Sequence, residues 1–268
     1  MPEGPEVRRI TDSLANLPRS KSLTEVEIIS GRYDNHGPPE GFNEFIRSLP
    51  LNMVDVSCKG KFIYFKFEGG WTIWNTLGMA GSWSFKRKKH SRVMFKFNES
   101  SIFFTDIRNF GTLKFIKGYE NLQKKLDSLG PDMLSDEPTN LEFISAIRKK
   151  SNKTITEALM NQSVVSGVGN YLKSESLYLS KISPHRVVKT LSDEELSQLN
   201  QSVKATILSS YLSGGATIHT FEGFNGEFGE YSRRFAVYNQ KTDPNGLKVV
   251  REKTQDGRTT FWVKEIQK

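Results

Sequence analysis

The sequence predicts an α+β fold in three parts: an antiparallel β domain with a flanking helix, a helical domain, and a C-terminal β-hairpin. Three observations carry that prediction. Between Leu23 and Phe115, short segments rich in branched and aromatic residues alternate with turns. From about Glu120 helix-start signals take over, among them Thr139 with Glu142 and Ser192 with Glu195. Near the end, Asp256-Gly257 stands between two β-patterned segments, a two-residue hairpin signal.

Taken in order, Val7, Ile10, Leu14 and Leu17 recur at spacings of three and four, which predicts a short amphipathic helix stopped by Pro18. LTEVEII, MVDVSC, KFIYFKF, WTIWNTL, RVMFKF, IFFTDI and TLKFI then read as strands of an antiparallel sandwich or barrel. LEFISAIRKK, TITEALMNQ, GNYLKSESLYLSKI and LSQLNQSVKATILSSYL read as helices. The Gly-rich stretch from Ser213 to Tyr231 has no clear period and is expected to be a long mobile loop. FAVYN, LKVVREKT and RTTFWVKEI return to a β pattern. The domain boundaries read from these shifts are 1–118, 119–232 and 233–268.

Composition narrows the function classes. The 268 residues carry a formal net charge of +8, which favours polyanionic partners. Cys58 is the only cysteine, so an intrachain disulfide and a four-cysteine zinc site are both excluded. With four scattered histidines, no metal and no other cofactor is expected. No apolar run is long enough to cross a membrane, and MPEGPEVRR has no signal-peptide character. A protein that is intracellular and not secreted is expected.

The N-terminus offers chemistry. Removal of Met1 would leave Pro2 as a secondary amine at the chain end. An α-amine titrates near about 8, against roughly 10.4 for lysine, so a useful fraction is nucleophilic at neutral pH. Attack on an aldehydic sugar carbon gives an iminium, an electron sink that acidifies the neighbouring hydrogen. Glu3, next in the chain, is placed for general acid or base work. Without further context, a proline here is an ordinary helix-start residue.

Further motifs supply that context. MPEGPEV, KGK at Lys59 to Lys61, LGMAGSW at Leu77 to Trp83, DIRNFG at Asp106 to Gly111, LGPDML from Leu129, VSGVGNYLKSESLY at Val165 to Tyr178 and GRTTFW at Gly257 to Trp262 follow one another along nearly the whole chain. In identity and order they resemble the formamidopyrimidine-DNA glycosylase and endonuclease VIII family. The resemblance implies an N-terminal β-sandwich, a helix–two-turn–helix domain and a C-terminal finger. It also implies glycosylase and lyase activity on oxidised bases in DNA.

On this resemblance Pro2 attacks C1′ of the damaged nucleotide and Glu3 moves protons. Glu6 orients water or backbone nearby, though as a first-turn carboxylate it also suits a helix dipole. Lys61 matches a catalytic lysine that holds the lesion phosphate and lowers the amine's pKa by like charge. Met79, Arg108 and Phe110 match residues that fill the void left by a flipped base. Asn109 departs from the basic residue common at its position. Asn170, with Gly167 and Gly169 opening a helix, is expected to bind a phosphate, and Lys153 to join it. Arg258, after the Asp-Gly turn, is expected to grip phosphates around the flipped nucleotide. The runs KRKKH and RKK and the side chain of Lys59 read as solvated charge.

The absent cysteines place the finger with the zincless branch, similar to vertebrate Nei-like and plant enzymes, so its hairpin must rest on Val249, Phe261 and Trp262. The implied partner is damaged double-stranded DNA, with single-stranded or bubble DNA as further candidates. The implied compartment holds DNA, and no signal for a dimer is present, so a monomer is expected. Two other readings stay open: a non-catalytic helix–two-turn–helix DNA-binding protein, and a basic protein-interaction scaffold.

Overall fold

The computed structural model describes residues 2–16, 22–217 and 222–268. The expected end of the first helix at Leu17 and Pro18 lies outside them. The chain forms two compact units. One gathers Glu6–Asp127 and Gly214–Gly229 with Pro2; the other gathers Glu3–Pro5, Ser128–Ser213 and Glu230–Lys268.

The first unit is a β-sandwich. Helix α1 (Gly4–Ala15) is followed by β1 (Ser22–Ile28), the short helices α2 (Arg32–Asn35) and α3 (Phe42–Ile46), and β2 (Leu51–Lys59). Then come β3 (Phe62–Phe67), β4 (Trp71–Thr76), β5 (Gly81–Ser84), β6 (Ser91–Phe97), β7 (Ser101–Asp106), β8 (Thr112–Lys117) and α4 (Tyr119–Asp127). The strands pair antiparallel in the order β5-β7-β6-β1-β2-β3-β4-β8. Only two residue pairs join β1 to β2, so the sheet folds there into two four-stranded faces.

Alternation decides what lies inside. Ile63, Phe65 and Phe67 on β3 and Val93, Phe95 and Phe97 on β6 are buried, while Tyr64, Lys66 and Lys96 point outward. Phe65 meets Phe95 ring to ring at 5.9 Å, and Trp83 on β5 lies 5.6 Å from Phe65. Val7, Ile10 and Leu14 of α1 join this core. Phe42 and Phe45 of α3, unassigned by sequence periodicity, plug its edge, with Phe45 edge-on to Phe67 and Trp71.

The second unit holds α5 (Asn140–Arg148), α6 (Ile155–Met160), α7 (Asn170–Leu179), α8 (Asp193–Leu212), β9 (Val250–Lys253) and β10 (Thr259–Trp262). Capping boxes start α5 at Thr139/Glu142 and α8 at Ser192/Glu195 as the sequence predicts; a further one at Thr154/Glu157 starts α6. The turns between α6 and α7 are stapled by Gln162, which donates to Val168 O at 3.0 Å and accepts from Gly167 N at 3.1 Å. The LGPDML segment pairs there, Ser166 N donating to Pro131 O and Met133 N to Ser166 O.

Several expectations give way to side-chain chemistry. FAVYN is not a strand, because Ala236, Val237 and Tyr238 all donate their N–H groups to the buried Glu175 carboxylate. LKVVREKT contributes only Val250–Lys253 to the hairpin. The hairpin turn holds three residues, not two: Thr254 N donates to Arg258 O, leaving Gln255, Asp256 and Gly257 as the loop. Gly257, at φ 76°, takes the left-handed position that such a loop needs. The expected packing of the hairpin holds, with Val249, Phe261 and Trp262 buried. The described part of the Gly-rich stretch is fastened to the sandwich, as Ser82 Oγ donates to Gly223 O and Phe85 N to Asn225 Oδ1. Lys59 and Arg148 are not simply solvated. Lys59 donates to Leu126 O, and Arg148 to Val188 O and Leu191 O.

Candidate active site and nucleic-acid interface

In the sandwich unit Pro2 is buried just ahead of α1. Glu6, in the first turn of α1, is also buried and accepts from Ala216 N at 2.7 Å. Its carboxylate therefore fixes the start of the Gly-rich stretch, and a Cβ on Gly215 would come within 2.9 Å of Glu6 Oε1. Lys61 is half-buried in the two-residue turn of the β2–β3 hairpin, where Gly60 at φ 58° reverses the chain.

The expected void-filling residues lie on two adjoining turns. Met79 is half-buried between β4 and β5, whereas Arg108 and Phe110 are exposed between β7 and β8. Phe110 is 53% exposed, a large apolar ring presented to solvent. The Arg108 guanidinium stands 4.8 Å from that ring's centroid. Gly78, beside Met79, lies so close to Phe110 that a Cβ would fall 2.6 Å from its carbonyl carbon. One buried carboxylate organises the second turn: Asp106 accepts from Arg108 N at 3.0 Å and Gly111 N at 2.6 Å. Asp106 opens the DIRNFG motif, but its role is not legible in the sequence because its partners are backbone amides, which leave no pattern in the letters.

In the helical unit Glu3 is buried and its carboxylate caps α7. It accepts from Tyr171 N at 2.9 Å and Leu172 N at 3.2 Å. These amides carry the positive end of the helix dipole, where a carboxylate is stabilised. Gly169 is obligatory for the approach, since a Cβ there would stand 2.1 Å from Glu3 Cδ. Gly167 O accepts from Gly4 N at 2.8 Å. Of the α7 amides expected to meet a phosphate, those of Tyr171 and Leu172 are instead engaged by Glu3.

Asn170, the first residue of α7, donates through Nδ2 to Thr259 O at 2.8 Å, next to the exposed Arg258. Lys153 does not share that contact: it is exposed and pairs with Glu157 at 3.0 Å. Two residues not singled out by sequence are buried inside α7. Burial pushes the Lys173 ammonium down from its ordinary value, opposed by Asp256 at 2.6 Å and by Glu3. Burial pushes Glu175 up, opposed by the amides of Ala236, Tyr238 and Val237. Among the described residues no group of three or more His, Cys, Asp or Glu is placed to hold a metal ion, and no helix is long and apolar enough to cross a membrane.

Comparisons with known proteins cover the whole chain. The N-terminal, H2TH and C-terminal domain models of formamidopyrimidine-DNA glycosylase match residues 1–113, 129–222 and 227–268. The formamidopyrimidine-DNA glycosylase of a Drosophila simulans Wolbachia is 30% identical over 288 residues, spanning 100% of both chains. That of Shouchella clausii is 30% identical over 252 residues, 91% of this chain and 90% of its own. The MutM (Fpg) crystal structure from Thermus thermophilus superposes with a TM-score of 0.86 at 25% identity, covering 99% of this chain and 98% of that one. A Lactococcus lactis Fpg variant bound to a Fapy-dG containing DNA gives 0.86 at 25% identity, with both chains covered in full.

Proposed function

Given that the chain belongs to the formamidopyrimidine-DNA glycosylase family, we propose that it is a base-excision-repair glycosylase with AP lyase activity. Its substrates are oxidised pyrimidines, formamidopyrimidines and hydantoins in double-stranded DNA, on which it acts as a monomer in a DNA-containing compartment. The observation that most supports this reading is the fixed N-terminal segment. Pro2 is buried and Glu3 is clamped by two helix amides, whereas a plain helix-start Pro-Glu pair has no need of either.

In the proposed reaction the Pro2 amine attacks C1′ and the damaged base departs, with the Glu3 carboxylate taking up the proton the amine releases and passing it to the opening sugar ring or the leaving base. The resulting iminium acidifies the C2′ hydrogen; its loss expels the 3′ phosphate, and a second elimination expels the 5′ phosphate. A one-nucleotide gap with phosphates at both ends remains. Lys61 holds the lesion phosphate, and Glu6 orients backbone near the site through the Ala216 contact. Met79, Arg108 and Phe110 fill the emptied stack, a role supported by the exposure of Arg108 and Phe110. Asn170 and Arg258 grip phosphates, with the Gly167–Gly169 turn giving close backbone approach and Lys153 adding charge. Residues 1–118 form the catalytic domain, 119–232 the DNA-binding domain and 233–268 a zincless finger.

Borohydride trapping on a thymine-glycol duplex tests the nucleophile. Protein with Pro2 at its terminus should give a covalent adduct, and Pro2→Gly or an N-terminal extension should abolish strand cleavage while sparing DNA binding. Full cleavage by Pro2→Gly would sink the assignment.

A further inference from the structure

With one cysteine the sequence cannot build a four-cysteine clasp for the finger, so something else must seat the tip that carries Arg258. Three residues of α7, spaced i, i+3 and i+4 on one face, reach the hairpin. Asn170 Nδ2 donates to Thr259 O at 2.8 Å, and Ser174 Oγ accepts from Phe261 N at 3.4 Å. Between them Lys173 Nζ donates to Asp256 Oδ2 at 2.6 Å, with side chains only 0% and 2% exposed. The other Asp256 oxygen accepts from Thr254 Oγ1 at 2.5 Å and from Arg258 N at 3.4 Å. The acid of the three-residue loop is thus turned fully inward, while Arg258, two residues on, is exposed.

We propose that Lys173 is a positioning residue for substrate binding: paired with Asp256, it seats the hairpin tip on α7 and so fixes Arg258 relative to Asn170. The inference rests on the reading of Arg258 as a phosphate grip. A buried ion pair is a poor source of stability, because an apolar pair of similar volume serves as well or better. What it offers is direction, since a short charge-assisted bond to one oxygen fixes the loop as diffuse apolar packing does not. The same ammonium also feels the Glu3 carboxylate, so the finger clamp and the Glu3 seat share one end of α7.

The test measures binding to a duplex carrying a tetrahydrofuran abasic analogue for wild type, Lys173→Met, Arg258→Ala and their double variant. Amide hydrogen exchange of residues 250–262 in DNA-free protein is followed alongside. Lys173→Met should weaken binding by about tenfold, Lys173→Arg should restore most of it, and the double variant should be no worse than Arg258→Ala. The hairpin amides of Lys173→Met should exchange faster. Lys173→Met combined with Asp256→Leu, which removes both charges, should unfold at wild-type temperature yet still bind weakly. Independent losses in the double variant, or wild-type affinity in the charge-free pair, overturns the proposal. Should Arg258→Ala alone leave binding unchanged, the Arg258 reading fails, and the hairpin exchange then decides whether Lys173 seats the tip.

Discussion

In the sandwich, β3 buries Ile63, Phe65 and Phe67 and β6 buries Val93, Phe95 and Phe97, apolar residues at alternate positions. In the helical unit, α7 buries the unbroken run Tyr171–Leu177, with Lys173, Ser174, Glu175 and Ser176 inside it. Three buried polar groups of α7 have named partners: Lys173 has Asp256, Glu175 has three amides, and Ser174 has Phe261 N. Apolar packing is non-directional and tolerates replacement by residues of similar shape. Buried hydrogen bonds are directional and costly to leave half-made. The sandwich is therefore a scaffold, and α7 is a fixture that sets where Glu3, Asn170 and the finger stand.

The largest effect should come from Glu175→Leu. It strands the Ala236, Val237 and Tyr238 amides at ~1–3 kcal/mol each, so a loss of at least about 3 kcal/mol is expected in urea unfolding. If Glu175→Leu is neutral, α7 is an ordinary packed helix and the contrast breaks. Phe95→Leu in the sandwich should cost less, about 1–2 kcal/mol, because the neighbouring rings can close part of the gap. A larger loss than that of Glu175→Leu would reverse the comparison.

The smallest effect sharpens it at the helix ends. Thr154→Ala should cost about 1 kcal/mol by removing one cap. The backbone N–H of Thr154 holds Glu157 below its ordinary value of 4.5 despite some desolvation. A carboxylate with a lowered folded pKa adds stability above its unfolded pKa and loses it as pH falls through the folded one. Acidification below 4.5 should therefore narrow the gap between Glu157→Ala and wild type in thermal unfolding. A gap that stays constant with pH would remove the reciprocal cap.

Legibility followed the same divide. The strands of the sandwich, the Thr139 and Ser192 capping boxes and the apolar packing of the hairpin stand in the sequence as period, spacing and residue type. Lys173, Glu175 and Asp256 carry no such mark, because a charged residue within a helix or turn looks the same whether solvated or buried. FAVYN, likewise, has a strand's composition, and only the arrival of Glu175 diverts its amides into a turn.

By itself the sequence determined the order of elements, the family of motifs from MPEGPEV to GRTTFW and the impossibility of a four-cysteine finger. These depend on residue type and near spacing, which the chain carries locally. Tertiary structure alone decided that the α7 amides hold Glu3, that Glu6 holds Ala216 and that Asp256 turns inward to Lys173. Each joins residues from 83 to 210 positions apart. At such separations no local propensity acts, and the partner of a buried polar group is set by which backbone or charge the fold brings beside it.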